Sequence, residues 1–345
     1  MPSPEELATR PEYLLTGVDL ARKECEFLGL DPGAYRASAF LDHRLRSVRR
    51  DAFRAPLDAM TGAIAGSTVQ PPINYIFHTS FCCSTLISRC LDMEAACAGL
   101  REPPVLMQMA NEKRRAGASG RATGWEPALG TVLALLAKCR GPDEAVLIKP
   151  TNAANNLAED VLPMPGTGGV LLLHSNLKYF LVSILKKGEP GRAFVRQLFA
   201  VMRGDSERTR ALDPEALSRL TDLQIAAFTW YSQMDSYLRL LQQFPDKRIA
   251  TLDCDVFLAE PLETLVKLCA FFGITADRER LVEVVSGPAF TKSSKNAADD
   301  YDAAVREAEY RQVLGDNQDA VEAMIAWSAK LRPEGAIALP LPRAL

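Results

Sequence analysis

The chain is poor in what most metal-binding and nucleic-acid-binding proteins are built from. Only three histidines occur in 345 residues, and the eight cysteines (Cys25, Cys82, Cys83, Cys90, Cys97, Cys139, Cys254 and Cys269) include no Cys-x-x-Cys pair. A structural zinc site of the usual spacing is therefore not expected, and no metal is assigned. The net charge of −3 supplies no basic field, which argues against a nucleic-acid partner bound through bulk electrostatics. Long apolar runs are missing too. The longest, "GGVLLLHSNLKYFLVSIL", is broken by His174, Asn176 and Lys178, so no membrane span is expected. The first residues, "MPSPEELATRPEYLL", carry acids and no apolar core, unlike a secretory leader. Thiols set in apolar segments suit a reducing compartment, and the expected location is cytoplasmic. Internal repeats and low-complexity tracts are absent.

What is present is ordinary globular composition, 48% hydrophobic and 24% charged, in a chain long enough for one or two domains and a large core. Residues 1–70 read as a helical segment packed on the core. Residues 71–335 read as one α/β domain, and 336–345 as a tail. Apolar runs at "NYIFHT" (74–79), "AVLIKP" (145–150), "GVLLLHS" (169–175) and "RIATLDCDVF" (248–257) predict strands, with "ACAGLRE" (96–102) a weaker candidate. Helical patterns lie between them, and short buried strands separated by helices favour a parallel sheet covered on both faces. The expected class is thus a P-loop-type three-layer α/β sandwich with a helix-rich second half. Residues 290–300, "FTKSSKNAADD", lack periodicity and read as a loop or lid.

One stretch carries chemistry: "INYIFHTSFCCSTLISRCLD", residues 73–92. An apolar strand runs through a short hydroxyl-rich turn directly into a helix. That arrangement aims free helix amides, and the positive end of the helix dipole, at whatever occupies the turn. The ATP-binding loop is GxxxxGK[ST]. Against it, His78 and Cys83 stand at the glycines, Ser84 at the lysine and Thr85 at the hydroxyl. An enzyme moving the terminal phosphoryl group of ATP needs that lysine. Structurally, the same residues also suit a plain strand–turn–helix in which Ser and Thr cap the helix.

The stretch "FCCSTL" (81–86) resembles the phosphate loop of the sulfotransferases that use 3′-phosphoadenosine-5′-phosphosulfate (PAPS), and four further stretches follow in that superfamily's order. "LREPPVL" (100–106) holds Glu102 where one branch keeps the base that acts on the acceptor. "LIKP" (147–150) is similar to the strand end whose lysine, here Lys149, points at the transferring group. "LLLHSNLKYFLVSILKKG" (171–188) resembles the 3′-phosphate element, with Ser175 in place of its arginine and Ser183 at the expected offset. "RIATLDCDVFLAEPLETLVKLCAFFGI" (248–274) looks like the acidic strand end followed by a packing helix.

The resemblance implies a sulfotransferase that binds PAPS through Thr79, Ser80, Phe81, Cys82, Cys83, Ser84, Thr85, Ser175, Ser183 and Lys295. Glu102 would be the base, Lys149 would stabilise the leaving group, and His78 is a rival base. The acceptor would be a small molecule bearing a hydroxyl or amine, and the chain a monomer or homodimer. The departures are Phe81 for the loop cation, Cys83 for a glycine and Ser175 for an arginine. Lys149, Lys178, Lys186, Lys187, Lys292 and Lys295 are candidate replacement cations. His174, the acids Asp253 and Asp255, and the thiols Cys82 and Cys83 at a helix start are further candidates with ordinary structural readings. The alternatives are a non-catalytic nucleotide-binding descendant of the fold, a P-loop nucleotide kinase, and a structural or oligomerisation protein.

Overall fold

The computed structural model describes residues 1–66, 72–117, 124–138, 144–291, 303–332 and 335–345. Eight strands build two sheets. β1 (Tyr13–Asp19), β2 (Glu24–Gly29) and β3 (Ala52–Pro56) form an antiparallel sheet in that order. β4 (Ile73–His78), β5 (Cys97–Arg101), β6 (Ala145–Lys149), β7 (Thr167–His174) and β8 (Ile249–Asp253) form a parallel sheet in the order β5-β6-β4-β7-β8.

The parallel sheet is the one the apolar runs predict. β4, β5 and most of β6 are buried along their whole length, as strands covered on both faces must be. "RIATLDCDVF" is strand only over its first half. Asp253 ends β8 by accepting the Asp255 amide through its side chain (3.0 Å), which starts the helix Cys254–Ala259. β4 is central, with β5 and β6 to one side and β7 and β8 to the other. In open parallel sheets, ligands are taken at the carboxyl ends of the strands, where the strand order reverses.

The first 66 residues depart from expectation: beside the helices Pro4–Thr9, Ala34–Ala37 and Leu57–Ala65 they hold the β1–β3 sheet. β2 alternates half-buried and buried positions, putting Cys25 and Phe27 on one face. The β1–β2 turn contains no glycine. Asp19 closes it by accepting the amides of Ala21 and Arg22 at 3.0 and 2.9 Å.

Two compact units divide the chain, interleaved rather than split at residues 70 and 335. The first comprises Met1–Phe77, Thr85–Val170 and Leu265–Leu281. In it β1 packs on the helices Pro104–Ala116 and Trp125–Leu136, with Trp125 Nε1 donating to the Met109 carbonyl at 3.2 Å. A fully buried Arg101 ties the N-terminal segment to β5. It pairs with Asp92 at 2.6 Å and donates to the carbonyls of Tyr35 and Ser38 at 2.6 and 2.9 Å. Each nitrogen of its guanidinium thus has a partner, the condition for burying a charge.

The second unit comprises His78–Ser84, Leu171–Thr264 and Val282–Leu345. The helices Leu177–Lys186, Gly188–Met202, Asp222–Gln243 and Gln318–Ser328 pack against one another there. A side chain at Gly191 would meet the Ile184 carbonyl oxygen, so the sharp reversal between the first two needs glycine. The closing residues belong to this unit and are no separate tail. Ala344 bridges Thr251 of β8, and Leu341 is buried.

Candidate functional site

The turn after β4 has an unusual backbone. Ser80, Phe81 and Cys83 all adopt positive φ, at 71°, 50° and 58°. Left-handed backbone costs an L-residue about 1–2 kcal/mol, and three such residues within four positions persist only because the surroundings hold them. A left-handed residue beside a right-handed one is the unit of an anion-binding nest, and Cys83 directly precedes the helical residue Ser84. The helix Ser84–Leu91 begins at once, adding its own free amides. Thr79, Ser80, Cys82, Ser84 and Thr85 are all buried.

Contacts inside the second unit hold this turn. The Thr79 amide donates to the Leu173 carbonyl at 3.1 Å, and Gln233 Nε2 donates to the Thr79 carbonyl at 3.4 Å. His78 Nδ1 accepts the Ser80 amide at 3.3 Å, which commits one ring nitrogen to shaping the turn and weakens His78 as the base. Phe81, standing where the resemblance expects a cation, is drawn aside. It lies edge-on to Phe180 and Phe194, each with centroids 5.6 Å away. Lys187 brings its ammonium to 6.0 Å from the Phe81 ring, so a cation does stand beside position 81. Gln233 and this aromatic cluster have no sequence signature, because residues far apart in the chain form them.

Ser175 and Ser183 fare differently. Ser183 is half-buried on the helix Leu177–Lys186. Ser175 is 0% exposed, and its carbonyl accepts Trp230 Nε1 at 2.8 Å. Its hydroxyl is buried without a hydrogen bond. Lys186 pairs with Glu309, and Lys178 is exposed. Lys292 and Lys295, with most of the 290–300 loop, lie outside the described residues.

The first unit holds a second constellation. Arg101 and Lys149 are register partners at the carboxyl ends of β5 and β6, and the Glu102 amide extends the ladder by donating to the Lys149 carbonyl at 2.7 Å. Glu102 also has positive φ, 57°, in the step between β5 and the helix Pro104–Ala116. Its carboxylate takes a 2.7 Å bond from Lys149 Nζ on one oxygen and a 3.2 Å contact from Arg44 on the other. Glu102 retains 16% side-chain exposure, whereas Lys149 retains none. Arg44 is itself held by Asp42 and stacks at 3.6 Å on Phe40. The resemblance marked Glu102 and Lys149 but had no means of finding Arg44, Asp42 and Phe40, which lie far upstream in the segment read as helical. Glu102 does not cap the following helix. The cap position is Pro103.

Polar groups also gather at the ends of β7 and β8, within the second unit. Burial pushes His174 down to about 4, against a weaker pull from the Ser175 backbone. Burial raises the Asp253 and Asp255 carboxyls, with the Asp253 charge adding to the rise at Asp255. A hydrogen bond with the Cys83 thiol, then burial, raises Cys254 well above the ordinary thiol range. Among the described cysteines none is disulfide-bonded.

No protein-family model matches the chain, and no curated protein matches it. Among solved structures it is similar to a sulfotransferase domain from the curacin biosynthetic pathway, at 13% identity over 73% of this chain and 99% of that one, TM-score 0.42. A sulfotransferase domain from the Synechococcus PCC 7002 olefin synthase aligns at 14% identity over 80% and 92%, TM-score 0.40. The sulfotransferase STF9 from Mycobacterium avium aligns at 12% identity over 75% and 79%, TM-score 0.38.

Proposed function

We propose that the chain is a PAPS-dependent sulfotransferase acting on a small hydroxyl- or amine-bearing acceptor. The observation that carries this reading is the left-handed run Ser80, Phe81 and Cys83 between a buried strand and a helix start. A backbone strained in that way, without the lysine of the ATP-binding loop, suits a phosphate bound without magnesium. The amides of residues 80–85 would hold the 5′-phosphate, with Lys187 supplying positive charge beside Phe81. PAPS, when bound, supplies an activated sulfuryl group whose S–O bond to the nucleotide breaks as a new bond to the acceptor forms.

The roles of this chain's own residues follow from their partners. Glu102, partly exposed and gripped on both oxygens, takes the acceptor's proton. Lys149 and Arg44 fix its orientation, so that a lone pair is aimed before the acceptor arrives. Lys149 is committed to Glu102 by its 2.7 Å bond, and positioning is therefore its first role. This burial, together with the aromatic at position 81, favours a second reading: a nucleotide-binding descendant of the fold that does not catalyse transfer.

Calorimetry with 3′,5′-bisphosphoadenosine, without added magnesium and beside an ATP–magnesium control, tests the proposal. Stoichiometric binding of the bisphosphate alone is expected. Binding of ATP only, or of neither, would remove the sulfotransferase reading. Bisphosphate binding with no consumption of PAPS for any hydroxyl or amine acceptor would select the non-catalytic one.

A further inference from the structure

Where β8 ends, Asp253, Cys254 and Asp255 bring one potential ligand atom each to within 4.8 Å of one another. Such a cluster means little alone. Here a buried imidazole joins it. His174, 1% exposed at the end of β7, has its Nδ1 3.9 Å from Asp253 Oδ2, and that nitrogen makes no hydrogen bond. A polar atom buried in this way carries a desolvation penalty unless something satisfies it.

The carboxylates are also divided by task. Asp253 uses Oδ1 to accept the Asp255 amide at 3.0 Å, leaving Oδ2 toward His174. Asp255 has Oδ2 held by Asn176 Nδ2 at 2.6 Å, leaving Oδ1 at 3.9 Å from Cys254 Sγ. Each acid therefore keeps one oxygen oriented and offers the other. Outer hydrogen bonds of this kind are what aim metal ligands. The Cys254 thiol further shares a hydrogen bond with that of Cys83, in the phosphate loop. All these residues belong to one compact unit.

We propose that His174 Nδ1, Asp253 Oδ2, Cys254 Sγ and Asp255 Oδ1 form a binding site for a divalent transition ion of the zinc type, with Cys83 as a neighbouring thiol. Nitrogen, sulfur and carboxylate oxygen together select zinc or cobalt over magnesium and calcium, which take all-oxygen shells. Two ligands about 2.0–2.1 Å from a tetrahedral ion stand about 3.3 Å apart. The His174–Asp253 spacing of 3.9 Å is thus open by roughly half an ångström, and His174 stands outside the 4.8 Å group of the other three, so the side chains must rotate inward to complete the shell. Sequence spacing pointed away from zinc because it looked for paired cysteines, whereas these ligands come from the ends of two strands. Such an ion would carry positive charge beside a loop that has lost its own cation, and its binding stands independently of nucleotide.

The test uses the full chain without an affinity tag, stripped with a chelator, kept reduced with a phosphine and titrated with cobalt(II) and then zinc. One equivalent of cobalt with a thiolate-to-metal absorption band, displaced by zinc, is expected. Asp255→Asn, a change near the surface, should weaken binding about tenfold or more, and Cys254→Ser should abolish the band. Absence of cobalt binding, cobalt bound without the thiolate band, or affinity unchanged in Asp255→Asn would overturn the proposal. The band in the unaltered chain decides the matter even if Cys254→Ser does not fold.

Discussion

Glu102 holds its carboxylate on a left-handed backbone, with an ammonium fixed to one oxygen and a guanidinium near the other. Replacing it with Gln keeps an acceptor for Lys149 and removes the ability to take a proton. Glu102→Gln should therefore leave bisphosphate affinity within a few fold by calorimetry and lower transfer by about 10²–10⁴-fold. Unchanged transfer would move the base elsewhere. Lys149→Ala does something different. The resemblance implies a cation that acts on the leaving group. The structure instead buries that ammonium wholly beneath Glu102. Its loss leaves a partly buried carboxylate with Arg44 alone, at a cost of about 1–3 kcal/mol. A urea titration should show that loss of stability together with lower turnover. A stable, inactive Lys149→Ala would restore the direct catalytic role.

At the level of elements, strand ends and helix ends depend on contacts that local pattern does not contain. The parallel strands were legible because buried runs of five to eight apolar residues have few other fates. The N-terminal sheet was not, because its turn is closed by the Asp19 carboxylate rather than by a glycine pair, and mixed apolar spacing in "YLLTGVDL" fits either period. The end of the helix Asp222–Gln243 is a similar case. Arg343, from the proline-rich terminus, donates to the carbonyls of Pro245, Lys247, Phe244 and Leu241, the closest at 2.8 Å. Carbonyls left free at a helix end, and in the turn beyond it, are thereby satisfied from far along the chain. Arg343 also has a φ of 61°. Arg343→Ala loses the hydrogen bonds and keeps the strain, and should cost about 2 kcal/mol. Arg343→Gly loses the same bonds but relieves the backbone, and should be the milder change by up to about 1 kcal/mol. Equal effects in a urea titration would show that the left-handed conformation at Arg343 stores no strain.

Across the whole molecule, the fold class and the loop after β4 could be read from the chain. The partners of Glu102 and the His174–Asp253 neighbourhood could not, since topology alone brings them together. Thiol burial is another property set by the complete core. Burial pushes Cys25 and Cys90 up to about 12, with the Glu24 charge adding to the rise at Cys25 and Arg89 opposing it at Cys90. It pushes Cys269 up to about 11, and raises Cys97 with added repulsion from Asp92. Unfolding returns each thiol to its ordinary value of roughly 8.5. Below that pH both states hold the proton, and the stabilising effect of burial is fully present. Above it the unfolded chain releases protons that the folded chain keeps, so stability falls as pH rises toward the folded values. Each such thiol removes about 1.4 kcal/mol per pH unit once ionised in the unfolded chain. Urea midpoints should therefore hold steady up to about pH 8 and drop steeply between about pH 9 and 11. Cys25→Ala should give a drop shallower by one proton's share, because its thiol no longer titrates. A flat profile through pH 10, or a Cys25→Ala slope equal to that of the unaltered chain, would mean that these thiols meet water in the folded protein.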